Sequence, residues 1–189
     1  MVTVLLSCGF ISRVSATAPE GESTTGDPSA ATSKMFVEAN LGLGGCQGDG
    51  CKNVDPAVGI SLGGFFMVMP NVAAGANFRY QMYGVDNADM SCMMFSAEGR
   101  YYHMLNPQLN AYGAAALGYD KMTVKVDTGY GTAEGNDSAY FVQVGGGVEY
   151  ALSPVMFVGG TLRYQVNFWD KSDDSFNDWL LAVSFGYRF

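Results

Sequence analysis

The sequence predicts an all-β fold, an eight-stranded antiparallel up-and-down transmembrane β-barrel. Three observations carry that prediction. From Lys34 to Phe189, apolar residues recur at every second position, the period at which successive strand side chains face opposite ways. The alternate face holds mostly glycine, alanine, serine, asparagine and glutamine instead of the charges a water-facing sheet shows. The links between the alternating runs are short with a proline, then long with acids, in strict turn.

Composition bounds the function before any motif is read. The 189 residues allow one domain with a short extension. Charged residues make up 15% and apolar residues 48%, where a soluble domain carries about a quarter charged. The net charge of −8 argues against nucleic acid, whose phosphates need a basic face. One histidine and four cysteines are too few for a zinc site or a histidine-based catalytic cluster. No metal or other cofactor is expected, and the protein is not expected to be an enzyme. Two uncharged stretches, 56–78 and 101–119, are long enough for spanning helices. Pro70 and Pro107 would each delete a backbone hydrogen bond at mid-membrane, so strands are expected instead.

Residues 1–18 read as a signal peptide: an apolar run, Val2 to Ile11, precedes the small-residue cleavage pattern Ala16-Thr17-Ala18. The usual positive n-region is missing, and Arg13 follows the run instead. Residues 19–33, PEGESTTGDPSAATS, lack aromatics and cannot bury enough apolar surface to order themselves. They are expected to be a disordered periplasmic leader ahead of a barrel over 34–189.

The strands follow in order. The first sets Met35, Val37, Ala39, Leu41 and Leu43 against Glu38, Asn40, Gly42 and Gly44. The second sets Val58, Ile60, Leu62, Phe66 and Val68 against Gly59, Ser61 and Gly63. The third sets Val72 to Met82, even numbers, against Gly75, Asn77, Arg79 and Gln81. The fourth sets Met93, Phe95, Ala97 and Tyr101 against Ser96, Glu98 and Arg100. The fifth, about 109–119, is the weakest, because Ala114-Ala115-Ala116 blurs its faces. The sixth sets Tyr140, Val142, Val144, Val148 and Tyr150 against Gln143, Gly145, Gly147 and Glu149. The seventh sets Met156, Val158, Leu162, Tyr164, Val166 and Phe168 against Thr161, Arg163, Gln165 and Asn167. The eighth sets Trp179, Leu181, Val183, Phe185, Tyr187 and Phe189 against Ser184, Gly186 and Arg188.

The tight links hold Pro70, Pro107 and Pro154, each marking where ladder pairing stops. The long ones, 45–55, 84–91, 120–137 and 169–178, hold twelve of the eighteen acids. Short and long links therefore lie at opposite ends of the meander. A soluble barrel hides its apolar face inside. Here the small residues suit a narrow interior, and the bulky apolar series then faces out, which only a membrane makes favourable. Closure leaves no backbone group unpaired in lipid. Aromatics mark two girdles: Tyr83, Tyr119, Tyr140, Phe168 and Trp179 at the long-link end, and Tyr101, Tyr150, Tyr187 and Phe189 at the other.

In this pattern, residues 34–189 resemble the small outer-membrane barrels of the OmpA transmembrane-domain and opacity-protein families. The most specific element is the end, Trp179 to Phe189, where Trp179, Leu181, Val183, Phe185, Tyr187 and the terminal Phe189 resemble the signal read by the barrel-assembly machinery. The resemblance implies a bacterial outer-membrane location. It also implies outer-membrane lipid and lipopolysaccharide as surroundings and the assembly machinery as a partner. Both termini would be periplasmic and the four long acidic loops extracellular. The peptidoglycan-binding domain of OmpA itself is not expected here.

The inward face carries Glu38, Arg79, Glu98, Arg100, Glu149, Arg163 and Arg188, expected to form a salt-bridge plug, since buried charges persist only when paired. Arg79 and Glu98 are expected to neighbour each other across one hairpin, and Glu38 and Arg188 at barrel closure. Cys46 and Cys51, bracketing Gln-Gly-Asp-Gly, suit a loop-tip disulfide in an oxidising compartment. Cys92 is left over, and Cys8 leaves with the signal. His103 lacks the Ser and acid neighbours that lipid A-modifying barrels use. Asp170, Asp173, Asp174 and Asp178 read as a solvated acidic loop rather than a cation site. The function expected is non-enzymatic, structural or surface-interacting, through the acidic loops and with no ligand identified. The alternative is a narrow or laterally opening conduit for small or hydrophobic solutes.

Overall fold

The computed structural model describes residues 34–48, 51, 54–85, 88–127, 132–169 and 176–189; the signal and leader expected from the sequence lie outside these. Eight strands follow one another: β1 (Met35–Gln47), β2 (Ala57–Met69), β3 (Val72–Val85), β4 (Ala88–Asn106), β5 (Leu109–Asp127), β6 (Thr132–Ala151), β7 (Met156–Trp169) and β8 (Asn177–Arg188). Each pairs antiparallel with its sequence neighbours. β1 closes on β8 from Phe36↔Arg188 to Gln47↔Asn177. No open edge remains around the wall, the condition for a sheet to cross lipid.

Alternation sorts the side chains as the pattern predicts. Leu62, Leu181 and Val183 point out and are more than half exposed, while Ser61, Thr161 and Ser184 point in and are buried. Soluble proteins rarely expose a contiguous apolar patch beyond a few hundred Å². Here the outward faces of all eight strands are apolar, so a hydrocarbon solvent is needed. Tyr119 and Tyr140 meet edge to face at 5.7 Å, and Tyr187 and Phe189 at 5.1 Å, at opposite ends of the wall. The final backbone amide, of Phe189, donates to Met35 O at 2.9 Å and ties the last residue into the ladder.

We call the end carrying Pro70, Pro107 and Pro154 the turn end, and the other the hairpin end. Three sequence expectations change at the hairpin end. First, two of the four long links are mostly strand. β4, β5 and β6 run 19, 19 and 20 residues, so β5 and β6 continue past Tyr119 and Tyr140 as a projecting hairpin. The alternation of Met122 and Val124 with Lys121, Thr123 and Lys125 extends the period of two beyond the membrane. Second, Tyr83 is not a girdle residue. It shares parity with Arg79 and Gln81, points inward and is buried. Third, Asp120 and Asp178 are not loop acids; both are fully buried in the lumen. In β5 the alanine run resolves with Tyr112, Ala116 and Asp120 inward.

Aromatic knobs in the lumen are seated on glycines. A Cβ on Gly186 would lie 2.0 Å from the Phe157 ring, and one on Gly118 would lie 2.3 Å from the Phe141 ring. Phe36, Phe65, Ala73 and Phe157 form an apolar layer at the turn end. Ala57, Tyr83, Met90, Cys92, Met94, Phe141 and Phe176 form one at the hairpin end.

Candidate functional site

Between those layers lies the polar lumen. Arg100 of β4 donates from Nη1 to Glu38 Oε2 at 2.8 Å and from Nη2 to Glu38 Oε1 at 2.5 Å, while its Nε donates to Glu98 Oε1 at 2.7 Å. Arg163 of β7 grips the other side of Glu98, with Nη2 to Oε1 at 3.2 Å and a second bond from Nη1. It also lies 3.7 Å from Glu38. Glu149 accepts from Arg188 at 3.0 Å and from the Tyr102 hydroxyl at 2.9 Å, and lies 3.7 Å from Arg100. Three carboxylates thus face three guanidiniums, and the cluster is neutral. Its cations also rest on aromatic faces: Arg100 Cζ is 3.8 Å from the Phe65 ring centre and Arg188 Cζ 4.6 Å from that of Phe157, a contact that gains strength when desolvated. Asn40 and Gln143 complete the ring through Glu38 and Arg163.

Of the seven charged residues read from the sequence, the structure links six. Arg79 stands apart. It does not meet Glu98, because the register sets Arg79 opposite Met94 and Glu98 opposite Gly75, four positions or roughly 13 Å apart along the strand. Arg79 instead donates to Gln165 and, from Nε, to Met94 Sδ at 3.0 Å. Glu38 and Arg188 do sit on the two closing strands, but Arg188 is level with Phe36 and turns to Glu149, while Arg100 takes Glu38.

A second polar level, missed as such from sequence, surrounds Arg79. Gln165 donates to Asn167 at 2.7 Å, Asn167 donates to Asp178 at 3.1 Å, and the Tyr83 hydroxyl donates to Asp178. Asp120 is buried with neither carboxylate oxygen hydrogen-bonded. Parity was the signal that finds these groups: Asp178 continues the inward series of Ser184 and Gly186, and Asp120 that of Tyr112 and Ala116. Between the levels is a cavity of about 10 Å³, lined by Asn40, Asn77, Arg79, Gln143 and Arg163 among others, on the scale of one water.

Outside the lumen, Cys46 and Cys51 are disulfide-bonded with Cα atoms 5.7 Å apart, while Cys92 is a buried thiol. His103 is exposed at the turn end, opposite Ala111. Asp170, Asp173 and Asp174 lie outside the described residues. Among the described residues no His, Cys, Asp and Glu group has the arrangement of a metal site.

A closed eight-stranded ring with bulky apolar residues outside and an ion-pair cluster inside defines a small membrane-spanning barrel. The chain belongs to the outer membrane protein beta-barrel domain family, whose model matches residues 3–189, and its place is the bacterial outer membrane. Solved structures of the same fold include neisserial surface protein A, 13% identical with a TM-score of 0.71 over 82% of this chain and 97% of that one. The attachment invasion locus protein Ail of Yersinia pestis, in complex with the heparin analogue sucrose octasulfate, is 18% identical with a TM-score of 0.56 over 82% and 98%. The outer membrane protein OprG of Pseudomonas aeruginosa is 14% identical with a TM-score of 0.52 over 83% and 96%. At these identities the likeness is one of fold. No curated protein sequence matches the chain.

Proposed function

We propose that this protein is a non-enzymatic barrel with a sealed interior, and that its role is structural or surface-interacting through the hairpin end. The observation supporting this is the neutral Glu38–Glu98–Glu149/Arg100–Arg163–Arg188 cluster, buried between two apolar layers except at Arg188, which lies level with Phe36 and is partly exposed at the turn end. A path through it would require breaking buried charge pairs at several kcal/mol each, and eight strands leave an interior only wide enough for side chains. In this reading the turn end faces the periplasm, with the leader of residues 19–33, and the hairpin end faces outside. Exposed Asp55, Asp89 and Glu134, with the acids at 49, 86, 170, 173 and 174, give that end a negative field suited to a cationic ligand. The Cys46–Cys51 bridge braces its first connection, and the Trp179–Phe189 series is read by the barrel-assembly machinery.

Planar-bilayer recording of the purified protein tests the sealed reading against a conduit for small or hydrophobic solutes. The sealed reading expects no steady unitary conductance. Reproducible openings would favour the conduit. An unchanged lipid A profile on overexpression is expected, and an altered one would reinstate an enzyme.

A further inference from the structure

The protein has ten basic residues, and most of the arginines face the lumen. Among the described residues, the lysines are Lys34, exposed ahead of β1 at the turn end, and Lys121 and Lys125 on the projecting part of β5. These last two share outward parity with Tyr119 but differ in their neighbours. Lys125 is flanked in register by Asp89 and Glu134, whereas Lys121 is flanked by Met93 and Ser138. Thr123, between them, is already bonded to Asn136 at 2.8 Å. The acids beside Lys121 in sequence and register, Asp120 and Asp137, take the inward parity, shared with Met122. Lys121 is exposed, and none of the ion pairs among the described residues involves it. It is an outward cation with neutral outward neighbours on a protein of net charge −8.

Lys121 lies two residues beyond Tyr119. At about 3.4 Å per residue and a tilt near 40°, that is about 5 Å above the girdle, inside the headgroup layer that extends roughly 5–7 Å past the hydrocarbon. Lys125 lies about 16 Å above it by the same arithmetic, beyond that layer. Below Lys121, the Tyr119–Tyr140 pair supplies an apolar shelf with two phenol hydroxyls. Beside it, Ser138 supplies a third hydroxyl.

We propose that Lys121, with the Ser138 hydroxyl and the Tyr119–Tyr140 shelf, binds a phosphate of an outer-leaflet glycolipid, anchoring one lipid at the base of the β5–β6 hairpin. This rests on the orientation given under Proposed function and adds a defined lipid site to it. The ammonium supplies a charge-assisted bond to phosphate, and the shelf receives the sugar and first acyl carbons.

The test uses the refolded full-length chain in a zwitterionic detergent, with lipid A as the probe and binding read by native mass spectrometry. Wild type should retain lipid A and lose it when both lipid phosphates are removed. Lys121→Gln should weaken retention by about tenfold or more, Lys121→Arg should keep it, and Lys125→Gln should change it less than Lys121→Gln. Inorganic phosphate at millimolar concentration should not compete, which separates a lipid site from a free-anion site. Heat-modifiable migration verifies that each variant is folded. Equal retention by folded Lys121→Gln, or of dephosphorylated lipid A by wild type, would overturn the proposal. Labelling of Lys125 on intact cells by an impermeant amine reagent reports orientation separately. If it is labelled only after the outer membrane is opened, the orientation fails and the site with it, whatever the detergent result.

Discussion

Arg100 spans the lumen from β4 to hold Glu38 on β1 with both terminal nitrogens, one at 2.8 Å and the other at 2.5 Å, while the face of Phe65 lies 3.8 Å from its guanidinium carbon. This contact ties the wall across its diameter as well as around its circumference. Removing the cation takes both guanidinium bonds from Glu38 and leaves the cluster with one negative charge in excess, while Glu98 keeps Arg163.

Arg100→Ala should therefore lower the stability of the folded barrel by about 3–5 kcal/mol, read as a lower urea midpoint in detergent micelles. Adding Glu38→Gln should restore part of that loss, because it leaves Glu98 and Glu149 facing Arg163 and Arg188 in equal number and a neutral amide costs less to leave buried. A wild-type midpoint for Arg100→Ala alone would mean that the cluster does not hold the wall.

Gly186 and Phe157 make a second cross-strand contact that can be tested. A methyl group at 186 would lie 2.0 Å from the Phe157 ring, so Gly186→Ala should destabilise by about 1–3 kcal/mol, the usual cost of overpacking. Phe157→Ala should abolish that penalty in a double-mutant cycle, and additive losses would show that the ring does not seat on this glycine.

The cysteines give a chemical test. Alkylation of the mature protein without reductant should label no thiol while it is folded, because Cys92 is buried. After denaturation only Cys92 should react, and peptide mapping should recover Cys46 joined to Cys51. Finding all three alkylated would remove the bridge.

Much of this was legible in the sequence, and the reason is geometric. A period of two bound to a lipid exterior leaves each residue one of two directions, so β8 could be read residue by residue from Trp179 to Phe189. The same rule contained the positions of Tyr83, Asp120 and Asp178. Their tyrosine and aspartate chemistry pointed to a girdle and to loops, and parity outweighed it. The partners inside the lumen were not legible. Which guanidinium reaches which carboxylate depends on the stagger of strands around the closed ring, and that is why Arg79 misses Glu98 while Arg163, three strands away from it, meets it. The length of the β5–β6 hairpin was obscured because its polar outward residues read as a loop once the strand leaves lipid.

Deleting Phe189 should reduce the amount of barrel assembled in the outer membrane and increase its periplasmic degradation, with synthesis unchanged. The residue is exposed to lipid, packs on Tyr187, and its amide bonds to Met35 O at 2.9 Å. Normal membrane levels and normal heat-modifiability in the deletion strain would count against the assembly signal.

The central claim is that lipid covers the odd-numbered face of β8 and a filled lumen covers the even one. Spin labels placed singly at positions 180–187 in reconstituted bilayers, with collision rates to oxygen and to a water-soluble nickel chelate, measure this most directly. The account predicts strong oxygen access at 181, 183, 185 and 187, and weak access to both reagents at 182, 184 and 186. Nickel access at the even positions would mean an open, water-filled pore. Nickel access at the odd positions would mean a soluble barrel, and either result would contradict the account.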